Sequence, residues 1–219
     1  MQIFRKTSLV TVLLCLPLLV QAQPPQTVSF PTRDGGEIYA NLYPAGKRSI
    51  VLAHGAIFNK ESWEPLAQFL AENGLTVLAI DFRGYGKSRP GRQSRAMELD
   101  ILAAIQFLKQ SGHNVSVLGA SMGGGAAARA VIAAEPGAID KLILLSPVPV
   151  AHPKKMQGNK LFIASKDEPM ASQVKAQYRL APEPKQLQLI DGSAHAQHIF
   201  KTGHGEELRK IIVDFLLDK

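Results

Sequence analysis

The chain has 219 residues, of which 46% are hydrophobic and 20% are charged. This length and composition are typical of one globular domain with a hydrophobic core, and they exclude a disordered or fibrous protein. The formal net charge of +7 comes from scattered Lys and Arg residues, and only 6% of the residues are aromatic. A nucleic-acid groove would concentrate both kinds of residue, so we expect a solvated basic surface and no nucleic-acid partner.

The first 22 residues differ in composition from the rest of the chain. Two basic residues, Arg5 and Lys6, precede an apolar run over residues 9–20, and Ala22 ends a small-x-small sequence. This pattern predicts a secretory signal peptide over residues 1–22, followed by one domain over residues 23–219. An uncleaved anchor is the alternative, but a proline interrupts the run and a membrane span needs about 20 apolar residues. We therefore expect a periplasmic or secreted protein with no membrane span after cleavage.

The sequence has no motif for a metal or a cofactor. Its single cysteine, Cys15, lies inside the apolar run, so the mature domain would have neither a disulfide nor a thiolate site. It also has no HExxH motif, no Cys and His cluster, no GxGxxG fingerprint and no phosphate loop with GxxxxGK[ST] spacing. We therefore expect no metal and no cofactor. The sequence does not indicate an oligomeric state.

Apolar runs of strand length alternate with helical patterns along the domain. The runs are EIYANLY, SIVLAHG, TVLAIDF, VSVLGAS, KLILLSP, LFIASKD and LQLIDG. Most intervening segments repeat apolar residues at helical spacing, as in Trp63, Leu66, Phe69 and Leu70. This alternation predicts an α/β fold with a mainly parallel sheet that helices cover on both faces.

The segment VLGASMGGGAA, residues 117–127, places Ser121 between a predicted strand and an alanine-rich predicted helix. Gly119, Ser121 and Gly123 form the G-x-S-x-G pattern of a nucleophile elbow, in which small flanking residues let the strand and the helix approach each other. The N–H of Met122 would then face the space above Ser121, where it could stabilise an oxyanion. A glycine-rich turn that only packs, or that binds a phosphate, is the alternative.

Two further motifs accompany the elbow. VLAHGAIFNKESW has a His-Gly turn after a predicted strand, and AIDFRGYGKS has a D-x-R-G-x-G-x-S stretch after the next one. With these motifs in this order, the chain resembles the α/β-hydrolase superfamily from about Val28 to its end. The resemblance implies a sheet of about eight strands. It also implies that the backbone N–H of Ala56, with Ile57 as the alternative, is the second oxyanion donor.

The resemblance further implies a Ser-His-Asp triad, in the chain order Ser, Asp or Glu, His. Asp167 follows the predicted strand LFIAS, where the superfamily has its acid. His195 follows the last predicted strand, where the superfamily has its base. The triad is then Ser121, Asp167 and His195. The alternatives are Glu168 and Asp191 for the acid, and His198 for the base.

The segment after the predicted strand KLILLS is short. About 14 residues, Pro147 to Lys160, separate KLILLS from LFIAS, which is too few for a lid of several helices. We also expect Asp81 and Arg83 to hold the loop after the predicted strand TVLAI, by a salt bridge or by backbone hydrogen bonds. The predicted function is a serine hydrolase of small carboxylic esters or thioesters that needs no cofactor. An amide or peptide hydrolase with the same triad and an inactive binding protein with this fold are the alternatives.

Overall fold

Eight strands form one sheet in the computed structural model of the protein, which describes residues 25–218. The strands are β1 (Gln26–Pro31), β2 (Glu37–Tyr43), β3 (Arg48–Ala53), β4 (Thr76–Ile80), β5 (Asn114–Ala120), β6 (Lys141–Leu145), β7 (Asn159–Ser165) and β8 (Lys185–Ile190). Their order in the sheet is β1-β2-β4-β3-β5-β6-β7-β8. Strand β2 runs antiparallel to both of its neighbours, and the other neighbouring pairs are parallel. The predicted signal peptide and Cys15 lie outside the described residues.

Within residues 25–218, five α-helices cover both faces of the sheet. They are α1 (Glu64–Glu72), α2 (Glu98–Gln110), α3 (Met122–Ala133), α4 (Ala171–Leu180) and α5 (Gly205–Leu217). Helices α2, α3 and α4 contribute to one buried apolar cluster, and helices α1 and α5 contribute to the other. The structure therefore confirms the predicted doubly covered, mainly parallel sheet.

The central strands show why the sequence folds this way. Every residue of β4 and of β6 is buried, as the continuous apolar runs TVLAI and KLILL require for strands covered on both faces. The edge strand β8 has only one fully buried residue, and two of its six residues are glutamines. Because β3, β5, β6, β7 and β8 are parallel neighbours, the loops at their carboxyl ends lie along one edge of the sheet. The candidate site is built from those loops.

The connection between β6 and β7 leaves this edge uncovered. Residues 146–158 contain one short 3-10 helix, Pro153–Lys155, and no α-helix. The predicted absence of a lid domain is therefore confirmed for the described residues. Among these residues, the structure contains no helix with both the length and the apolar character needed to cross a membrane.

Candidate active site

Ser121 occupies a strained turn between β5 and α3. Its backbone has φ 51° and ψ −113°, a conformation that a residue with a side chain rarely adopts and that costs about 1–3 kcal/mol. Two neighbouring segments hold the turn in place. The Ser121 N–H donates to the Leu145 carbonyl at 2.9 Å, and the Ser121 carbonyl accepts from the N–H groups of Gly125 and Val148, both at 3.1 Å. The geometry is that of a nucleophile elbow.

The glycines on either side of Ser121 are required by close backbone contacts. A Cβ at Gly119 would lie 2.3 Å from the Gly123 carbonyl oxygen, and a Cβ at Gly123 would lie 2.3 Å from the Ala53 carbonyl oxygen. Strand β5, helix α3 and the end of β3 therefore approach one another at a distance that only glycine permits. This is the physical reason for the glycine-rich sequence around the serine.

We expect Gly123→Ala to destabilise the protein, because the new methyl group would overlap the Ala53 carbonyl. The expected loss of unfolding free energy is about 1–3 kcal/mol, the usual cost of overpacking. Gly203→Ala is the matched control, since a Cβ at Gly203 would meet no atom within 4 Å. Urea unfolding of the two variants measures the difference. Equal stability would contradict the close approach.

His195 connects Ser121 to a buried carboxylate. Its Nε2 lies 2.9 Å from the Ser121 Oγ, and its Nδ1 bonds the Oε2 of Glu168. The Glu168 side chain is completely buried, whereas the His195 side chain is 34% exposed. An ionised carboxylate can only accept, so Nδ1 carries a hydrogen and Nε2 is left to accept the serine proton. The three side chains therefore have the arrangement of a nucleophile, a base and an orienting acid.

The predicted acid, Asp167, is wrong: in the structure the carboxylate on His195 belongs to Glu168. Strand β7 ends at Ser165 and is followed by a turn, in which the Asp167 N–H donates to the Gly192 carbonyl at 3.0 Å. This turn leaves Asp167 exposed to solvent and brings the next residue, Glu168, back into the protein. Adjacency to the strand was therefore a misleading signal, because the direction of the turn decides which of the two neighbouring carboxylates faces inward.

Ser146 holds the acid and the base together and was missed by the sequence analysis. Its Oγ donates to the Glu168 Oε1 at 2.6 Å and accepts from the Ala196 N–H at 3.1 Å. The Ser165 N–H donates to the same Glu168 oxygen at 3.0 Å. Both carboxylate oxygens of Glu168 therefore have partners, as burial of a charged group requires. The sequence feature that could have indicated this role is the position of Ser146 directly after β6.

The other two candidates are placed elsewhere. Asp191 forms an exposed ion pair with Lys166. The ring of His198 lies against that of Phe58, with 5.1 Å between the ring centroids, and His198 is exposed. The hydrogen bonds of His195, not those of His198, include the Ser121 hydroxyl.

The predicted oxyanion turn, residues 54–57, follows β3. A Cβ at Gly55 would lie 3.5 Å from the Ser121 Cβ, so the turn is packed against the nucleophile. The Gly55 carbonyl accepts from the His54 Nδ1 at 2.8 Å and from the Phe58 N–H at 3.0 Å. In a trans peptide the carbonyl and the following N–H point in opposite directions. Fixing the Gly55 carbonyl therefore also fixes the direction of the Ala56 N–H.

The two predicted oxyanion donors are the backbone N–H groups of Ala56 and Met122. In the part of the chain that the structure describes, the Ala56 and Met122 N–H groups have no hydrogen-bond acceptor. The Met122 N–H belongs to the first residue of α3, where helices leave their N–H groups unpaired. One phenol contacts both residues: the Tyr85 hydroxyl donates to the Ala56 carbonyl at 2.9 Å and lies 3.7 Å from the Met122 sulfur. The geometry is compatible with the predicted roles of both N–H groups.

His54 is held as a neutral ring beneath this turn. Its Nε2 accepts from the Phe82 N–H at 3.2 Å, so its Nδ1 is the atom that carries the hydrogen and donates to Gly55. Burial lowers the pKa of His54, because the charged imidazolium would lose its hydration. The ring also packs edge-on against Tyr85, with 4.7 Å between the centroids. His54 therefore stabilises the turn.

Asp81 and Arg83 hold the loop after β4, as expected, but they do not pair with each other. Asp81 accepts from the Lys60 backbone N–H and from the Lys60 Nζ, both at 2.8 Å. The Arg83 guanidinium is buried and pairs with Asp34 at 3.0 Å and with Asp100 at 2.7 Å. Each residue therefore acts through partners that are distant in sequence.

A cavity of about 210 Å³ lies beside the oxyanion turn, and its walls include Phe58, Trp63 and Gln197. Trp63 is buried and packs edge-on against Phe200, so it belongs to the core.

Within residues 25–218 no group of three or more His, Cys, Asp or Glu side chains is arranged to hold a metal ion.

The sheet order and the serine elbow define the class of protein, which is an α/β hydrolase. A family model described as "Serine aminopeptidase, S33" matches residues 44–183. This match covers more than half of the chain, so the protein belongs to that family of α/β hydrolases. The matched range ends before His195. The position of His195 beside Ser121 is therefore seen in the structure and is not part of the family match.

Named relatives and solved structures agree with this class. The chain is 34% identical over 122 residues to a non-heme chloroperoxidase of Streptomyces lividans. The aligned residues make up 54% of this chain and 44% of that relative. It therefore spans less than half the length of that protein. A predicted CIB-like hydrolase from Thermoplasma acidophilum has a TM-score of 0.75 at 23% identity, covering 91% of this chain and all of that one. An esterase from Pyrococcus furiosus has a TM-score of 0.76 at 19% identity, covering 89% of this chain and 92% of that one. These two structures show the same fold.

Proposed function

We propose that the protein is an exported serine hydrolase that cleaves small carboxylic esters or thioesters through an acyl-enzyme intermediate. The observation that carries the proposal is the hydrogen-bonded series from Ser121 through His195 to Glu168, with 2.9 Å between the Ser121 Oγ and the His195 Nε2. The exported location rests on the signal-peptide pattern of residues 1–22. The uncovered edge of the sheet supports direct access of the substrate to the serine.

The proposed reaction has two halves. The Ser121 Oγ attacks the substrate carbonyl while His195 takes its proton, and Glu168 stabilises the resulting imidazolium. The N–H groups of Ala56 and Met122 bind the negative oxygen of the tetrahedral intermediate. His195 then protonates the leaving alcohol or thiol as its bond to the carbonyl carbon breaks. Water, deprotonated by His195, releases the acid and restores the Ser121 hydroxyl.

Labelling with a fluorophosphonate, read by intact mass, tests whether the serine is activated. We expect one adduct on the wild type, none on Ser121→Ala, and a labelling rate at least 100-fold lower for His195→Ala. His198→Ala is the matched control, because His198 lies on the same loop and should be labelled at the wild-type rate. A folded wild type without an adduct would contradict the proposal and favour the inactive binding protein.

Substrate preference separates the reaction types. We expect p-nitrophenyl acetate to be hydrolysed with a burst, and faster than both the dodecanoyl ester and aminoacyl p-nitroanilides. Preferential cleavage of the anilides would favour the amide hydrolase that the family description "Serine aminopeptidase" suggests. Preferential cleavage of the dodecanoyl ester would contradict the small acyl group.

A second candidate rests on the relatives that are named non-heme chloroperoxidases. Hydrogen peroxide could replace water as the acceptor of the acyl group, which would give a peracid and the free serine. The peracid could then oxidise a halide ion outside the protein. Peroxide-dependent halogenation in acetate buffer that disappears in Ser121→Ala would support this reaction. Halogenation that survives the substitution would contradict it.

A further inference from the structure

Gln197 joins the loop that carries His195 to the turn that carries Ala56. It lies two residues after His195, and only 4% of it is exposed. Its Oε1 accepts from the Gly55 N–H at 2.8 Å, and its Nε2 donates to the Ser62 Oγ at 2.8 Å. Both ends of the amide are therefore satisfied, and its contacts lie on a segment that is more than 130 residues away in the sequence.

The hydrogen bond to Gly55 affects the oxyanion turn directly. Three successive peptide units of the turn are each held by a side chain: Gln197 binds the Gly55 N–H, His54 binds the Gly55 carbonyl, and Tyr85 binds the Ala56 carbonyl. The N–H between the two held carbonyls is that of Ala56. Without Gln197 the turn would keep the bonds that hold the Gly55 and Ala56 carbonyls, but it would lose its hydrogen bond to the loop of His195. The turn, and the Ala56 N–H with it, could then shift relative to His195.

We propose that Gln197 is a positioning residue that fixes the Ala56 N–H relative to His195, so that the base and the oxyanion donor keep one geometry. The inference rests on the proposed function. Because Gln197 does not touch the reacting atoms, its removal should weaken binding of the transition state more than binding of the substrate. A role limited to stability would lower the melting temperature without changing the turnover of the folded protein.

The decisive variants are Gln197→Met and Ser62→Ala. The first removes both hydrogen bonds at nearly constant volume. The second keeps the bond to Gly55 and releases the far end of the amide, and it also removes the bond from the exposed Ser62 hydroxyl to the Asn59 carbonyl. For Gln197→Met we expect kcat to fall about 10- to 100-fold with KM within twofold, the scale of a displaced oxyanion donor. For Ser62→Ala we expect a fall of roughly 3- to 10-fold by the same reasoning. Gln106→Met, an exposed glutamine on α2, is the matched control and should retain wild-type kcat.

The readout is turnover of p-nitrophenyl acetate per active site, together with inhibition by a trifluoromethyl ketone that forms a hemiketal with the serine. We expect the inhibition constant to rise by the same factor as kcat/KM falls, since both depend on the oxyanion donors. Unchanged kcat and inhibition constant in both variants would overturn the inference. If Gln197→Met does not fold, Ser62→Ala alone decides. A wild type that is not labelled by fluorophosphonate would overturn the proposed function, and the inference with it.

Discussion

Glu168→Gln is expected to lower kcat for p-nitrophenyl acetate by about 10³- to 10⁴-fold, the loss typical of a triad acid replaced by its amide. The amide has nearly the shape of the carboxylate, so Ser146 and the Ser165 N–H can still donate to its oxygen. It carries no charge to stabilise the imidazolium, and its NH₂ group favours the wrong tautomer of His195. The protein should fold and lose its catalytic base.

Asp167→Asn is the matched control for this prediction. It makes the same chemical change at the neighbouring residue, which is exposed and makes no side-chain bond to His195. Its kcat should stay within twofold of wild type. A large loss in Asp167→Asn with little loss in Glu168→Gln would restore the acid that the sequence predicted and contradict the arrangement in the structure.

Arg83→Met is expected to lower the unfolding free energy at pH 7 by about 3–5 kcal/mol, the usual cost of removing one partner from a buried ion pair. The substitution would leave the carboxylates of Asp34 and Asp100 buried without their cation. Arg129→Met is the matched control. Arg129 pairs with Glu98 near the surface, and such pairs contribute at most about 1 kcal/mol.

The loss in Arg83→Met should depend on pH. The hydrogen bond from Arg83 holds the pKa of Asp34 well below its usual range, so this group stabilises the fold above the unfolded pKa of about 3.9. That contribution disappears as the pH falls through the lowered pKa. Asp100 has the opposite effect on stability. Burial raises its pKa, so its ionisation lowers the unfolding free energy as the pH rises.

Urea unfolding between pH 7 and pH 3 measures this dependence. In Arg83→Met both carboxylates lose their cation and can protonate at higher pH. The difference in unfolding free energy between wild type and variant should therefore become smaller as the pH falls. A difference that stays constant between pH 7 and pH 3 would show that the loss comes from packing and not from the charges.

The fold could be predicted from the sequence because its signals are local and continuous. Runs such as TVLAI and KLILL are too apolar for a half-exposed strand, and the segments between the runs have helical periodicity. These features depend on neighbouring residues and on burial alone. The same is true of the elbow, where the approach of Gly119 and Gly123 to neighbouring backbone explains why glycine occurs there.

The acid could not be predicted in this way. Asp167 and Glu168 are adjacent carboxylates after the same strand, and no local property says which one a turn will bury. The ion pairs of Arg83 with Asp34 and of Asp81 with Lys60 likewise join segments that come together only when the sheet forms.

By itself, the sequence determined the strand and helix pattern, the elbow at Ser121 and the position of His195 after the last strand. The first two follow from the chemistry of short segments, and the choice of His195 follows from the resemblance to the α/β hydrolases. Only the tertiary structure decided that Glu168 faces His195, that Ser146 binds both loops, and that Gln197 contacts Gly55. These are contacts between side chains and backbone groups of different loops, and their geometry is set by the strand order that brings the loops to one edge of the sheet.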